Sequence, residues 1–167
     1  MPKNIVLFGA TGSIGSSVLN LLDKAGEEFC LKAITCNQNI ESLLKISKKY
    51  KCKNLGVSKI DSLGESTVTL SNKDIVYGIE NFDEFINNDV DIYILAISGL
   101  SSATLALKIA ETGKTLAIAN KENIISLGNI LLSKCKKYNT KVFPLDSEHN
   151  AIYQLLENNS KPIKDII

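Results

Sequence analysis

Asp146-Ser147-Glu148-His149 sets two carboxylates, a hydroxyl and the only histidine of the chain within four residues. Paired carboxylate oxygens suit a hard divalent cation such as Mg²⁺ or Mn²⁺. Two carboxylates make only part of such a site, so water, substrate oxygens or a further residue must complete it. The same cluster fits a second reading, because it lies where a helix begins. There Asp caps the free N–H groups and Glu complements the helix dipole. His149 is open between a base and an ordinary surface residue. Asn120-Lys121-Glu122 is a second polar stretch, set directly behind an apolar run. Lys121 fits either a ligand-reaching cation or a solvated lysine. Gly9-Ala10-Thr11-Gly12-Ser13-Ile14-Gly15 is the third. Its GxxGxxG spacing is a variant of the GxGxxG dinucleotide fingerprint. Glycines admit positive φ and leave no Cβ in the way of a ligand, and the helix start behind them can hold a pyrophosphate. The Thr11 and Ser13 hydroxyls suit a phosphate or a helix cap, and the loop also fits a ligand-free strand-to-helix turn.

The elements that must position these residues alternate along the chain. Ile5-Val6-Leu7-Phe8 predicts a strand before the glycine loop, and Ile14, Val18, Leu21, Leu22 and Ala25 predict a helix after it, stopped by Gly26. Strands are expected at 29–35, 55–58, 66–70, 74–77, 91–97, 115–119 and 141–145. Helical spacing marks Ile40, Leu43, Leu44, Ser47 and Tyr50, then Phe82, Phe85 and Ile86, then residues 102–112. It returns at Leu127, Ile130, Leu131, Cys135 and Tyr138, and at Ala151, Ile152, Leu155 and Leu156. Such alternation predicts an α/β fold: a Rossmann-like, doubly wound, mostly parallel sheet with helices on both faces. Ligands of that architecture bind beyond the carboxyl ends of the strands, which is where all three polar stretches fall. Ser98-Gly99, behind the strand at 91–97, leaves room for a cofactor to lie close. Behind the second strand stands Cys36-Asn37-Gln38-Asn39. It offers no carboxylate for the ribose 2′-OH of NAD, and no Arg or Lys for a 2′-phosphate.

Bulk composition removes other classes of function. The 167 residues suffice for one domain with a core. Nineteen basic and 18 acidic residues give a net charge of +1, with no basic block to hold a nucleic acid. No apolar run is long enough to cross a membrane. The chain passes from Met1-Pro2-Lys3-Asn4 directly into a strand, so no signal peptide is expected. Cys30, Cys36, Cys52 and Cys135 have neither CxxC nor zinc spacing, which predicts reduced thiols of a cytoplasmic protein.

Taken together, residues 9–15, Ala119-Asn120-Lys121-Glu122 and Pro144-Leu145-Asp146-Ser147-Glu148-His149-Asn150-Ala151-Ile152 resemble the 1-deoxy-D-xylulose 5-phosphate reductoisomerase family. The glycine motif is shared with many reductases, whereas the other two in this order and spacing are more specific. The resemblance implies conversion of a phosphorylated sugar to 2-C-methyl-D-erythritol 4-phosphate, with NADPH and Mn²⁺ or Mg²⁺, in non-mevalonate isoprenoid synthesis. It implies that Thr11, Gly12, Ser13 and Ile14 hold the NADPH phosphates, with Asn39 near the adenosine end. Asn120 and Glu122 would also contact the cofactor. Lys121 and Glu148 would carry the chemistry, with Lys121, Ser147 and Glu148 on the substrate and Asp146 and Glu148 on the metal.

Two departures from the family pattern stand out. Gln38 occupies a turn where relatives often carry a basic residue. The chain also ends at Ile167, where the family continues into a catalytic domain with further ligands and homodimer contacts. The resemblance therefore predicts an NADPH-binding domain at 1–150 and a helix and strand at 151–167 leading into that domain. Such a fragment would lack turnover and bind metal loosely, in about the millimolar range. Two alternatives are another nicotinamide reductase of similar fold and a non-enzymatic dinucleotide-binding module.

Overall fold

The computed structural model describes residues 1–59 and 75–157. Within them the chain runs β1 (Lys3–Phe8), α1 (Ser13–Ala25), β2 (Phe29–Cys36), α2 (Ile40–Tyr50), β3 (Asn54–Val57) and β4 (Ile75–Tyr77). It continues β5 (Ile92–Leu95), α3 (Ala103–Ile109), β6 (Thr115–Ile118), α4 (Lys121–Tyr138), β7 (Lys141–Pro144) and α5 (Ser147–Glu157). The seven strands form one sheet in the order β4-β3-β2-β1-β5-β6-β7. Every neighbouring pair is parallel, so the sheet is wholly rather than mostly parallel. The chain winds outward from β1 to β4, returns to β5 beside β1, and winds outward again to β7. That reversal at β1 and β5 is the switch point at which such sheets open a crevice.

Period-two side-chain alternation splits the core into two layers. Ile5 and Leu7 of β1 face one layer with Leu19 of α1 and Leu43 of α2. Val6 and Phe8 face the other, with Phe82, Leu105 of α3 and Leu131 of α4. Both faces are thus covered by helix, which explains why the strands read as nearly continuous apolar runs. β2 breaks the alternation once. Ile5 pairs with Leu31 but Val6 with Ala33, so Lys32 is an extra residue. The irregularity turns the exposed Lys32 aside and sends Leu31 and Ala33 to opposite faces. The side-chain amide of Asn54 caps the Lys32 carbonyl at 2.8 Å.

Several elements differ from the periodicity reading. The short helix expected around Phe82 is a 3₁₀ segment, Ile79–Phe85. It lays Phe82 over Gly56 of β3, where a Cβ would stand 2.7 Å from the Phe82 ring. The strand expected at 91–97 narrows to Ile92–Leu95, and Asp91 before it accepts the backbone N–H of Asn4 on its carboxylate at 2.8 Å. The helix expected at 102–112 begins as a 3₁₀ turn, Leu100–Ser102, and continues as α3. α4 begins six residues before the periodic signal at Leu127, and it bends at Gly128, with φ 28° and ψ −107°. The bend resets the helical phase, so the two halves show no single apolar stripe. The expected division at residue 150 falls inside α5. The strand expected at 66–70 and the strand at the chain's end lie outside the described residues. No helix among the described residues is long and apolar enough to cross a membrane.

Candidate functional site

A cleft of about 460 Å³ opens at the carboxyl edge of the sheet. Gly9, Thr11 and Gly12 line one wall, Cys36, Asn37, Ser58 and Lys59 a second, and Ala96, Ile97, Ser98 and Ser101 a third. It straddles the switch point, where the topology predicts a ligand.

Steric exclusion shapes the glycine loop. Gly9 has φ +89°, and a Cβ there would stand 2.5 Å from the carbonyl oxygen of Ala96. A Cβ on Gly15 would stand 2.3 Å from the Gly9 oxygen, so α1 can approach the loop only without that atom. Gly12 is different: its Cβ would meet nothing closer than 3.5 Å, which leaves the open side for a ligand. Thr35 of β2 anchors the loop from below, its hydroxyl accepting the Gly9 N–H at 3.0 Å and its carbonyl the Ala10 N–H at 2.7 Å. Gly12 is the N-cap of α1 and brings no side-chain cap. The first N–H groups of the helix are therefore free of a side-chain cap, as an anion site requires, although Ser13 and Ile14 are not among the cleft's lining residues. Ser13 and Ile14 occupy that first turn, Ser13 exposed and Ile14 half-buried.

Asn39 and Asn120 are tied into the protein. The Asn39 side-chain oxygen accepts the Ser42 N–H at 3.0 Å and caps α2, and Asn39 is not among the cleft's lining residues. Asn120 is 4% exposed. Its side-chain oxygen takes the Asn123 N–H at 3.1 Å as the cap of α4. Its amide donates to the Ile97 carbonyl at 2.7 Å and to the Gly99 carbonyl. The amide of buried Asn123 adds a bond to the Ser102 hydroxyl at 2.8 Å, while its own side-chain oxygen has no partner among the described residues. This buried network clamps the loop behind β5 to the start of α4. Asn120 thereby sets the third wall of the cleft. Sequence periodicity carries no sign of it, since Ser102 and Asn123 meet only after folding.

Lys121 and Glu122 project, exposed, from the first turn of α4. The acidic cluster lies beyond the neighbouring strand β7. Asp146 caps α5: its Oδ1 accepts the His149 N–H at 2.9 Å, and its Oδ2 stands 2.7 Å from the His149 ring nitrogen Nδ1. Burial pushes the Asp146 carboxyl up, but these hydrogen bonds outweigh it and hold the group below its ordinary 3.8. Glu148 accepts the Ser147 hydroxyl at 2.9 Å. That bond lowers the Glu148 carboxyl, the Asp146 charge opposes, and the Lys121 charge lowers it further. Lys121 and Glu148, 27 residues apart in sequence, are therefore within electrostatic reach across β6 and β7. Both readings of Asp146 are compatible with this geometry. It is a cap, and its oxygens with those of Glu148 are hard donors fit for part of a Mg²⁺ or Mn²⁺ shell. No group of three or more such donors gathers among the described residues.

The periodicity reading missed Ser58 and Lys59. They sit behind β3, whose four residues gave only a faint strand signal.

Known proteins match this arrangement. The family model for 1-deoxy-D-xylulose 5-phosphate reductoisomerase matches residues 5–128. The chain is 39% identical over 164 residues to the 1-deoxy-D-xylulose 5-phosphate reductoisomerase of Pelagibacter ubique (strain HTCC1062), covering 95% of this chain and 42% of that relative. Among solved structures, the reductoisomerase from Zymomonas mobilis in complex with NADPH gives a TM-score of 0.82 at 30% identity. It covers 92% of this chain and 41% of that one. A DOX-P reductoisomerase in complex with NADPH, fosmidomycin and magnesium gives 0.80 at 28% identity, over 91% of this chain and 38% of that one. The chain thus spans about two fifths of the length of these proteins. With a family match over most of its residues and the same fold beneath its three motifs, the chain belongs to the 1-deoxy-D-xylulose 5-phosphate reductoisomerase family.

Proposed function

We propose that this chain is the NADPH-binding part of a cytoplasmic, homodimeric reductoisomerase that converts 1-deoxy-D-xylulose 5-phosphate to 2-C-methyl-D-erythritol 4-phosphate. One observation carries the reading. The glycine loop, Asn120-Lys121-Glu122 and Asp146–His149 stand behind β1, β6 and β7, at one edge of a single parallel sheet. In this reading residues 1–150 form the cofactor domain. Thr11, Gly12, Ser13 and Ile14 cradle the phosphates at the open start of α1, and Asn39 lies toward the adenosine end. Asn120 and Glu122 border the cofactor, Asn120 by holding the loop behind β5 in place. Asp146 and Glu148 supply two oxygens for the cation. Lys121 and Ser147 approach the phosphorylated sugar beside Glu148. The bound cation supplies Lewis acidity and NADPH the hydride. The chain's own part is placement and charge: the Ser147 hydroxyl, helped to a lesser degree by the Lys121 charge, holds the Glu148 carboxyl low, and the clamp at Asn120 keeps the cleft shaped.

Nicotinamide fluorescence tests the reading directly. NADPH titrated into the chain is expected to bind saturably. Gly12→Asp, which sets a negative charge where the phosphates would lie, is expected to weaken binding about tenfold or more. Equal binding by that variant would remove the loop from the site. With substrate and Mn²⁺ added, NADPH absorbance is expected to stay constant. Steady oxidation would show that the chain turns over alone.

A further inference from the structure

The β2 turn lacks the cation that a 2′-phosphate requires, yet the folded cleft contains one. β3 pairs with β2 in parallel, with Cys36 opposite Val57. That register carries the next residues of β3 alongside the β2 turn. The Ser58 N–H donates to the Cys36 carbonyl at 3.0 Å and the Lys59 N–H to the Asn37 carbonyl at 2.9 Å. Both Ser58 and Lys59 line the cleft with Asn37, on the wall behind β2 where the adenosine ribose of a dinucleotide lies.

The charges at this wall have one sign. Among the described residues that line the cleft, Lys59 is the single ionisable cation, and none is a carboxylate. Four other lysines are engaged in ion pairs: Lys45 with Glu41, Lys49 with Asp23, Lys108 with Asp83 and Lys134 with Glu111. Lys59 has no ion pair with a described residue. Its backbone is held by the Asn37 bond, while its exposed side chain is left to meet a ligand. Gln38, exposed in the turn itself, brings only a neutral amide. A ribose bearing a free 2′-OH offers an ammonium group there only a neutral acceptor. A 2′-phosphate, with close to two negative charges, gains a charge-assisted hydrogen bond.

We propose that Lys59 is the cation that recognises the adenosine 2′-phosphate, supplying from the end of β3 what the β2 turn lacks. Lys59 sets which dinucleotide the cleft prefers and takes no part in holding the pyrophosphate. This rests on the reading of the cleft as an NADPH site.

Fluorescence titrations of NADPH and NADH into the chain and two variants test it. The unchanged chain is expected to bind NADPH more tightly than NADH. Lys59→Gln is expected to weaken NADPH about ten- to a hundredfold and to leave NADH within about twofold. Lys59→Arg, which keeps the charge, is expected to keep most of the preference. Both variants alter an exposed side chain, so unchanged melting curves are expected beside the titrations. The inference is overturned by an equal loss of both dinucleotides in Lys59→Gln, by no loss of NADPH, or by a loss in Lys59→Arg as large as in Lys59→Gln. Binding of neither dinucleotide by the unchanged chain overturns the reading of the cleft itself, and Lys59 with it. Tight NADPH binding that ignores position 59 overturns Lys59 alone.

Discussion

The glycine loop and the acidic cluster sit at the same edge of one sheet, but they are built in opposite ways. The loop lies at the centre, behind β1, with Ala10 wholly buried and Gly9 wedged against the Ala96 carbonyl. Its shape is imposed by atoms that cannot move without unpacking both core layers. The cluster lies behind β7, the last strand of the sheet, and no residue of β7 or described side chain of α5 is fully buried. Its shape rests on two local contacts, Asp146 with His149 and Ser147 with Glu148. The centre is therefore ready for a ligand as it stands, whereas the edge is held by bonds that a cation would have to share. Between them Asn120 caps α4 on one side and clamps the loop behind β5 on the other.

Substitutions can break this contrast, beginning at the centre. Gly15→Ala puts a Cβ 2.3 Å from the Gly9 oxygen, with backbone on both sides of the conflict. Destabilisation of about 3 kcal/mol is expected in urea titration, with loss of NADPH binding. A loss below about 1 kcal/mol would mean that the loop yields far more readily than its packing implies. Asn120→Ala should come next, at about 2 kcal/mol, since it strands the Ile97 carbonyl and removes the α4 cap together. NADPH affinity is expected to fall with it, although the side chain itself is buried.

At the edge the effects should be smaller and separable. Asp146→Ala removes the α5 cap at about 1 kcal/mol, while Asp146→Asn keeps a capping oxygen and changes stability little. Both should weaken Mn²⁺ binding, read by water-proton relaxation. If Asp146→Asn keeps full Mn²⁺ affinity, the carboxylate is only a cap. The pH response has a definite sign. A carboxyl held below its ordinary 3.8 contributes stability that is complete above that value and is lost as pH falls through its lowered folded value. Protection of the His149 amide proton, taken relative to its intrinsic exchange rate, is therefore expected to fall below pH 3.8, before that of the glycine loop.

Much of this was legible along the chain, for local reasons. Strand, glycine turn and helix at residues 4–25 follow from a short apolar run, closely spaced glycines and helical spacing of apolar residues, each a property of a few neighbouring residues. The ambiguity at Asp146 was legible too, since a cap and a ligand call for the same side chain. What was hidden depended on partners. α4 was missed at its start because Gly128 resets the phase of its apolar face. Leu31 and Ala33 look like one face until the irregularity at Lys32 separates them.

By itself the sequence determined the alternating α/β architecture, the central glycine turn and which polar stretches follow strands. These depend on backbone sterics and on side-chain period, which operate within a few residues. Only the tertiary structure decided which strand ends become neighbours. The order β4-β3-β2-β1-β5-β6-β7 brings Lys59 beside Asn37, Asn123 beside Ser102, and Lys121 within reach of Glu148. The physical reason is that parallel pairing joins segments separated by long crossovers. No local propensity records which distant strand, and at which register, will lie alongside.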